Sequence, residues 1–137
     1  MTMTTVSYAW RGEFGNAEVE ELHADGFGHP PAADFDWRAQ LERFSLGWVC
    51  ARRAADGALV GFVNVAWDGS GHAFVLDTVV ATAEQRRGVG RDLVACAVEN
   101  ARAAGCEWLH VDFEEKYREF YLDACGFRPT GAGLVRL

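Results

Sequence analysis

With 137 residues, half of them apolar, 24% charged and 12% aromatic, the chain is sized for one soluble globular domain that buries roughly two thirds of its unfolded surface. A net charge of −7 argues against nucleic-acid binding and suits a cationic amine as partner. No apolar run approaches the ~20 residues that span a bilayer, and Met1-Thr2-Met3-Thr4-Thr5 lacks a signal-peptide core, so a cytoplasmic location is expected.

Val6 to Trp10 reads as an opening strand, and Asn16 to Ala24 as a short helix with Asn16 as its cap. Glycine and proline mark Asp25 to Pro31 as a loop. A second helix is predicted from Asp34 to Phe44, with Phe35, Trp37, Leu41 and Phe44 near one face. Trp48 to Arg52 and Leu59 to Trp67 form a hairpin around Asp56-Gly57, and Asp68-Gly69-Ser70-Gly71 turns the chain into a third strand, His72 to Val80. A helix starting near Arg91 buries Leu93, Val94, Ala97, Val98 and Ala101, with Gly105 at its C′ position. Trp108 to Phe113 alternates, with Leu109, Val111 and Phe113 on one face and Trp108, His110 and Asp112 on the other. A last helix follows from about Glu115 to Cys125, stopped by Gly126, and two short strands are expected around Thr130-Gly131-Ala132-Gly133. Cys50, Cys96, Cys106 and Cys125 show no metal-ligand spacing, so no metal site is expected and buried free thiols are. The fold class is α/β (α+β), a mixed, largely antiparallel central sheet flanked by helices.

The stretch Glu84-Gln85-Arg86-Arg87-Gly88-Val89-Gly90-Arg91 sits between a strand and a helix N-terminus. Gly88 and Gly90 lack Cβ, so the backbone can approach a ligand and aim its N–H groups at it. The helix start adds unpaired donors and the positive end of its dipole, and Arg86, Arg87 and Arg91 add charge. Three or four hydrogen bonds to charged oxygens, at about 1.5–3 kcal/mol each, would hold a diphosphate. A Walker A loop is excluded because Arg91-Asp92, not Lys-Ser/Thr, follows Gly90, and a dinucleotide fingerprint because Leu93 occupies the place of its third glycine. A turn that merely caps the helix, its arginines solvated, has the same pattern.

Gln85, Gly88 and Gly90 fill Gln-x-x-Gly-x-Gly after a strand ending in Val79-Val80, and Glu119-Phe120-Tyr121 leads through Gly126-Phe127 to Thr130 some thirty residues on. In that order and separation the two motifs resemble the signatures of the GNAT N-acetyltransferase superfamily, from about Ala58 to the C-terminus. The resemblance implies acetyl-CoA as cosubstrate and a primary amine, small or peptide-borne, as acceptor. It places the cofactor-binding core in residues 58–137 and the acceptor-site segment in residues 1–45 of a single domain spanning 1–137. It also allows a homodimer.

By position, the backbone of Val79 and Val80 would bind the pantetheine arm and polarise the acetyl carbonyl, a donor of a type that contributes ~3–4 kcal/mol to a transition state. Gln85, Arg86, Arg87, Gly88, Val89, Gly90 and Arg91 would hold the pyrophosphate. Tyr121 falls where many members place a catalytic tyrosine, whose phenol near ~10 can protonate a thiolate near ~8.5 at modest cost. An ordinary core aromatic would also fit there.

The base stays open. An ammonium near ~10.4 is only about 0.1% neutral at physiological pH, a handicap of ~4 kcal/mol. Phe74 stands where some relatives carry a glutamate base, and Asp77 by alternation points to the face opposite Phe74 and Val80. His110 shares a face with Asp112, while His23 and His29 belong to the acceptor-side segment. Glu114 replaces an asparagine that touches the cofactor in relatives. A non-catalytic acyl-CoA binding or sensing domain would use the same cradle.

Overall fold

Alternating strands and central strands that are buried on both faces make five in all, and the structure, a computed structural model that describes residues 5–137, joins them into one sheet in the order β1-β2-β3-β4-β5. The strands are β1 (Val6–Trp10), β2 (Ser45–Arg53), β3 (Leu59–Trp67), β4 (His72–Val80) and β5 (Trp108–Val111). Neighbours pair antiparallel except β4 and β5, which run parallel across the connecting helix α3 (Val89–Ala103). The mixed, largely antiparallel sheet expected from the sequence is therefore present.

Each face of the sheet carries a core. On one, α3 lays Val89, Leu93, Ala97 and Ala101 against Val49, Ala51, Val63, Val65 and Val75. Leu93 is wholly buried, which is worth about 1.5–3 kcal/mol relative to exposure. On the other, α1 (Asn16–Phe27) and α2 (Trp37–Phe44) pack Val19, Leu22, Trp37 and Leu41 against Trp48, Cys50, Phe62 and Val79.

Several boundaries depart from the sequence expectation. Gly15, not Asn16, caps α1, and the Glu18 carboxylate accepts from the Gly15 N–H at 3.0 Å. Asn16 instead ties α1 to α2: its Oδ1 accepts from Arg38 N, and its Nδ2 donates to Asp36 Oδ1. The helix runs on through Gly26 to Phe27, because a Cβ at position 26 would lie 2.1 Å from Val79 Cγ2, and the bare glycine lets α1 lie on β4. Asp36 caps α2, which leaves Phe35 outside the helix and Phe44 exposed. The last helix is a single 3-10 turn, Glu115–Tyr117, followed by a π-helical segment, Glu119–Ala124, in which Cys125 N–H donates to Phe120 O at 3.0 Å. No strand forms after Gly126, and Leu134, Val135 and Leu137 are exposed. Of the cysteines only Cys50 is buried; the other three are half-buried, and all four are free.

The feature that shapes the site is a bulge in β4. Asn64 faces Leu76 and Phe62 faces Val79, so two steps of β3 oppose three of β4. Asp77 absorbs the extra residue at φ 57, a left-handed conformation that aspartate tolerates better than most side chains. Alternation inverts across it: Val75 packs on the α3 side, Val79 on the α1/α2 side and Val80 on the α3 side.

Candidate active site

Past Val75 and Val111 the parallel pairing of β4 with β5 stops. The rest of β4, Leu76 to Val80, is paired only with β3, so its other edge opens a gap where backbone groups have no strand partner. At the end of this gap the chain makes a 3-10 turn, Thr82–Glu84, and then the turn that starts α3. Gly88 is the N-cap of α3 at φ 84, and Arg86 is also left-handed at φ 66. The first bond of the helix runs from Asp92 N–H to Gly88 O at 3.0 Å, so the amides of Val89, Gly90 and Arg91 precede it and are free for an anion.

The remaining residues expected at this cradle take distinct places. Arg86 is exposed with no ion pair among the described residues, whereas Arg87 lies 3.7 Å from Glu84 and Arg91 Nε donates to Asp92 at 3.2 Å. Glu84, buried, is neutralised chiefly by Arg53 at 2.8 Å. Gln85 turns back and donates from Nε2 to Val80 O at 3.2 Å, clamping the turn onto the strand. The Val89 side chain is in the core, so only its backbone faces the turn. The bare side of Gly90 meets a ring: a Cβ there would stand 3.2 Å from Phe120 Cζ. Both motifs singled out in the sequence thus touch each other. The donor set and the Gly88 conformation fit a diphosphate, and the gap beside Val79-Val80 fits the slender arm of a thioester carrier.

Tyr121 is buried beneath Phe113, stacked at 5.3 Å, with Phe120 and Phe127 edge-on. Burial pushes its phenol above the ordinary value, and the nearby Thr78 side chain partly offsets this. Thr78 belongs to the bulge, so the phenol reaches the point where β4 leaves β5.

On the α1/α2 side of the same bulge lies a cavity of about 340 Å³, lined by Glu20, His23, His29, Phe35, Trp37 and Asp77 among others. His23 Nε2 is 3.1 Å from Asp77 Oδ1, and His23 Nδ1 is 2.7 Å from His29 Nε2. Asp77 therefore points toward α1, which corrects the alternation argument. The bulge turns Asp77 to the face of Phe74 and sends Val80 to the other. Glu20, buried, accepts from Trp37 Nε1 at 2.9 Å and Ala32 N at 2.8 Å, and the Ala32 bond leads in holding its carboxyl below the usual range. Sequence reasoning missed Glu20, Trp37 and Thr78. The spacing of Glu20 and His23, i and i+3 on one helix face, was the available signal.

The other base candidates sit apart from this cavity. His110 is exposed, 2.8 Å from His72 Nδ1 and stacked on Phe74 at 4.8 Å. Asp112 lies past the end of β5. Glu114 is exposed and 3.6 Å from Lys116 Nζ.

The model of the acetyltransferase (GNAT) family matches residues 13–127. No curated protein shows significant sequence similarity to the chain. Among solved structures, an acetyltransferase of Trypanosoma brucei has a TM-score of 0.80 at 20% identity, covering 97% of this chain and 99% of its own. Glucosamine-6-phosphate N-acetyltransferase from Arabidopsis thaliana has a TM-score of 0.75 at 14% identity, over 96% and 98%. An aminoglycoside N-acetyltransferase in complex with CoA gives 0.71 at 18%, over 99% and 96%. At these identities the structural likeness concerns the fold.

Proposed function

The chain belongs to the acetyltransferase (GNAT) family, and from that premise we propose that it moves an acetyl group from acetyl-CoA to a primary amine by direct attack, with both substrates bound together. Acetyl-CoA is the cosubstrate of the family, and its thioester supplies an acetyl group already activated toward an amine. The observation that carries the reading is the parting of β4 from β5 beside the left-handed Gly88 turn.

The amides of Val89, Gly90 and Arg91 hold the diphosphate, aided by the rest of the turn from Gln85, the Arg86 guanidinium and the start of α3. Backbone of Val79 and Val80, which has no strand partner on the β5 side, lines the gap and orients the arm that enters it. Tyr121 keeps its proton because burial raises it, and delivers that proton to the departing sulfur. No cysteine is poised as a nucleophile: burial pushes Cys50 and Cys125 up to about 11 and raises Cys96 and Cys106. This supports direct transfer without a covalent enzyme intermediate. The amine occupies the cavity under α1 and α2, where the carboxylates of Glu20 and Asp77 attract a cation and Phe35 and Trp37 cover an apolar body.

In this reading residues 58–137 serve the cosubstrate and the first 45 shape the acceptor side of one domain; residues 1–4 lie outside the described residues. The enzyme is cytoplasmic and able to pair as a homodimer. Among the described residues no helix is long and apolar enough to cross a membrane.

Calorimetry with coenzyme A, ATP and NAD, followed by an amine panel scored by free thiol release, tests this. Coenzyme A alone should bind, and at least one amine should release thiol from acetyl-CoA. Binding without thiol release from any amine would make the chain a non-catalytic acyl-CoA binder; no binding removes the cradle.

A further inference from the structure

Three side chains in the acceptor cavity form a hydrogen-bonded chain whose protons do not add up in its neutral form. At the outer end, His29 Nδ1 lies 2.9 Å from Pro30 O, and a carbonyl only accepts, so Nδ1 carries a proton. The next contact, His29 Nε2 to His23 Nδ1, is 2.7 Å, and the last, His23 Nε2 to Asp77 Oδ1, is 3.1 Å. Each of the three contacts needs one proton. Two neutral imidazoles bring two, and an ionised Asp77 brings none. One contact is therefore left with lone pair facing lone pair until one more proton arrives.

We propose that Asp77, His23 and His29 act as a relay that accepts the proton lost by the substrate amine and passes it to water. The inference rests on the acetyl-transfer reading above and assigns the base which that reading leaves open. An ammonium R–NH3+ enters with three N–H protons and leaves as an amide with one. The proton on Tyr121 goes to sulfur and is replaced by one of the two that depart; the other enters the relay at Asp77.

Added at that end, the proton completes the Asp77–His23 contact, each N–H shifts one place outward, and His29 exchanges with solvent. Exposure supports His29 as the outlet: its side chain is 37% exposed, against 25% for Asp77 and 19% for His23. Phe27 at 4.3 Å and Trp37 at 5.2 Å hold the His23 ring in place. The charged group that faces the relay from α1 is Glu20, 4.0 Å from His29 Nδ1; the polar neighbours are Asn64 on β3, 3.4 Å from Asp77 Oδ2, and uncharged Gln40 on α2.

The test combines a spectroscopic and a kinetic measurement on the full chain. Ring-nitrogen NMR of the free protein should show His29 as the Nδ1–H tautomer with a proton shared between His29 Nε2 and His23 Nδ1. Two rings with no coupling, or His29 protonated only at Nε2, overturn the relay. Asp77→Asn suits the left-handed position and His23→Gln keeps the size of the side chain. Each should lower thiol release at neutral pH by ~10²-fold or more, with the deficit shrinking as pH rises and the free amine becomes abundant. Coenzyme A affinity should stay within about twofold, since neither residue lies at the diphosphate turn. Wild-type coenzyme A binding and turnover with unchanged pH–rate profiles in both variants sinks the relay alone. Failure of the wild type to bind coenzyme A sinks the acetyl-transfer reading with it.

Discussion

His23 on α1 and Asp77 in the bulge of β4 lie 54 positions apart in the chain and share a 3.1 Å hydrogen bond. The residue that follows Asp77 is Thr78, whose side chain lies beside the Tyr121 phenol and lowers its pKa. One peptide unit thus separates the group that reaches into the cavity under α1 and α2 from the neighbour of the proposed acid. The bulge makes this possible by turning two consecutive side chains to serve two different neighbours.

Asp77→Ala should destabilise the protein by about 1 kcal/mol, because alanine lacks the local hydrogen bonding that eases a left-handed backbone. Asp77→Asn should be nearly neutral for stability. Urea midpoints of the two variants check this, and equal midpoints would show that the backbone conformation costs nothing.

Gly88→Val introduces a β-branched side chain at φ 84. Coenzyme A binding should be lost by calorimetry, while the circular dichroism of the fold persists with about 1–2 kcal/mol less stability. Unchanged affinity would refute the role of the turn.

Tyr121→Phe keeps the stack on Phe113 and removes only the hydroxyl. Turnover should fall by ~10²-fold with coenzyme A affinity preserved. A fully active variant would return Tyr121 to a purely structural place in the core.

Cys50 links burial to alkaline stability. The folded protein keeps this thiol proton up to about 11, against an ordinary value of 9.0. Between those values the unfolded chain binds fewer protons, so stability is full below pH 9, falls as pH rises, and has lost about 2–3 kcal/mol above the folded value. The difference in urea midpoint between pH 8 and pH 10.5 should be smaller in Cys50→Ala than in wild type. Parallel pH profiles would assign the loss to other groups.

Most of the strands and the turn at Gly88 were legible because they depend on local pattern. Val6–Trp10 shows its alternation directly, Leu59–Trp67 and His72–Val80 read as apolar runs bounded by turn residues, and the turn shows itself through Gly88 and its arginines. What stayed hidden depends on contacts across the sheet. Leu76-Asp77-Thr78-Val79 gives no sign of an extra residue, because a bulge is defined by its partner strand and not by its own composition. Gly26 looked like a helix stop, but close packing on Val79 outweighs its low helix propensity. In the tail, Leu134 and Val135 resembled a strand, yet Pro129, Gly131 and Gly133 interrupt it and no partner strand holds it. His23 and His29 could be weighed only singly, since their meeting requires α1 to lie on β4 and the following loop to return.

The bulge gives β4 a property that composition cannot express: it works as two half-strands set out of phase by one residue. Losing one residue from Leu76 to Thr78 would return β4 to regular alternation, with Val79 still in the α1/α2 layer and Val80 still in the α3 layer. The left-handed corner at Asp77 would vanish, and its contact with His23 with it. The extra residue is thus dispensable to the packing of the sheet and matters only at the cavity.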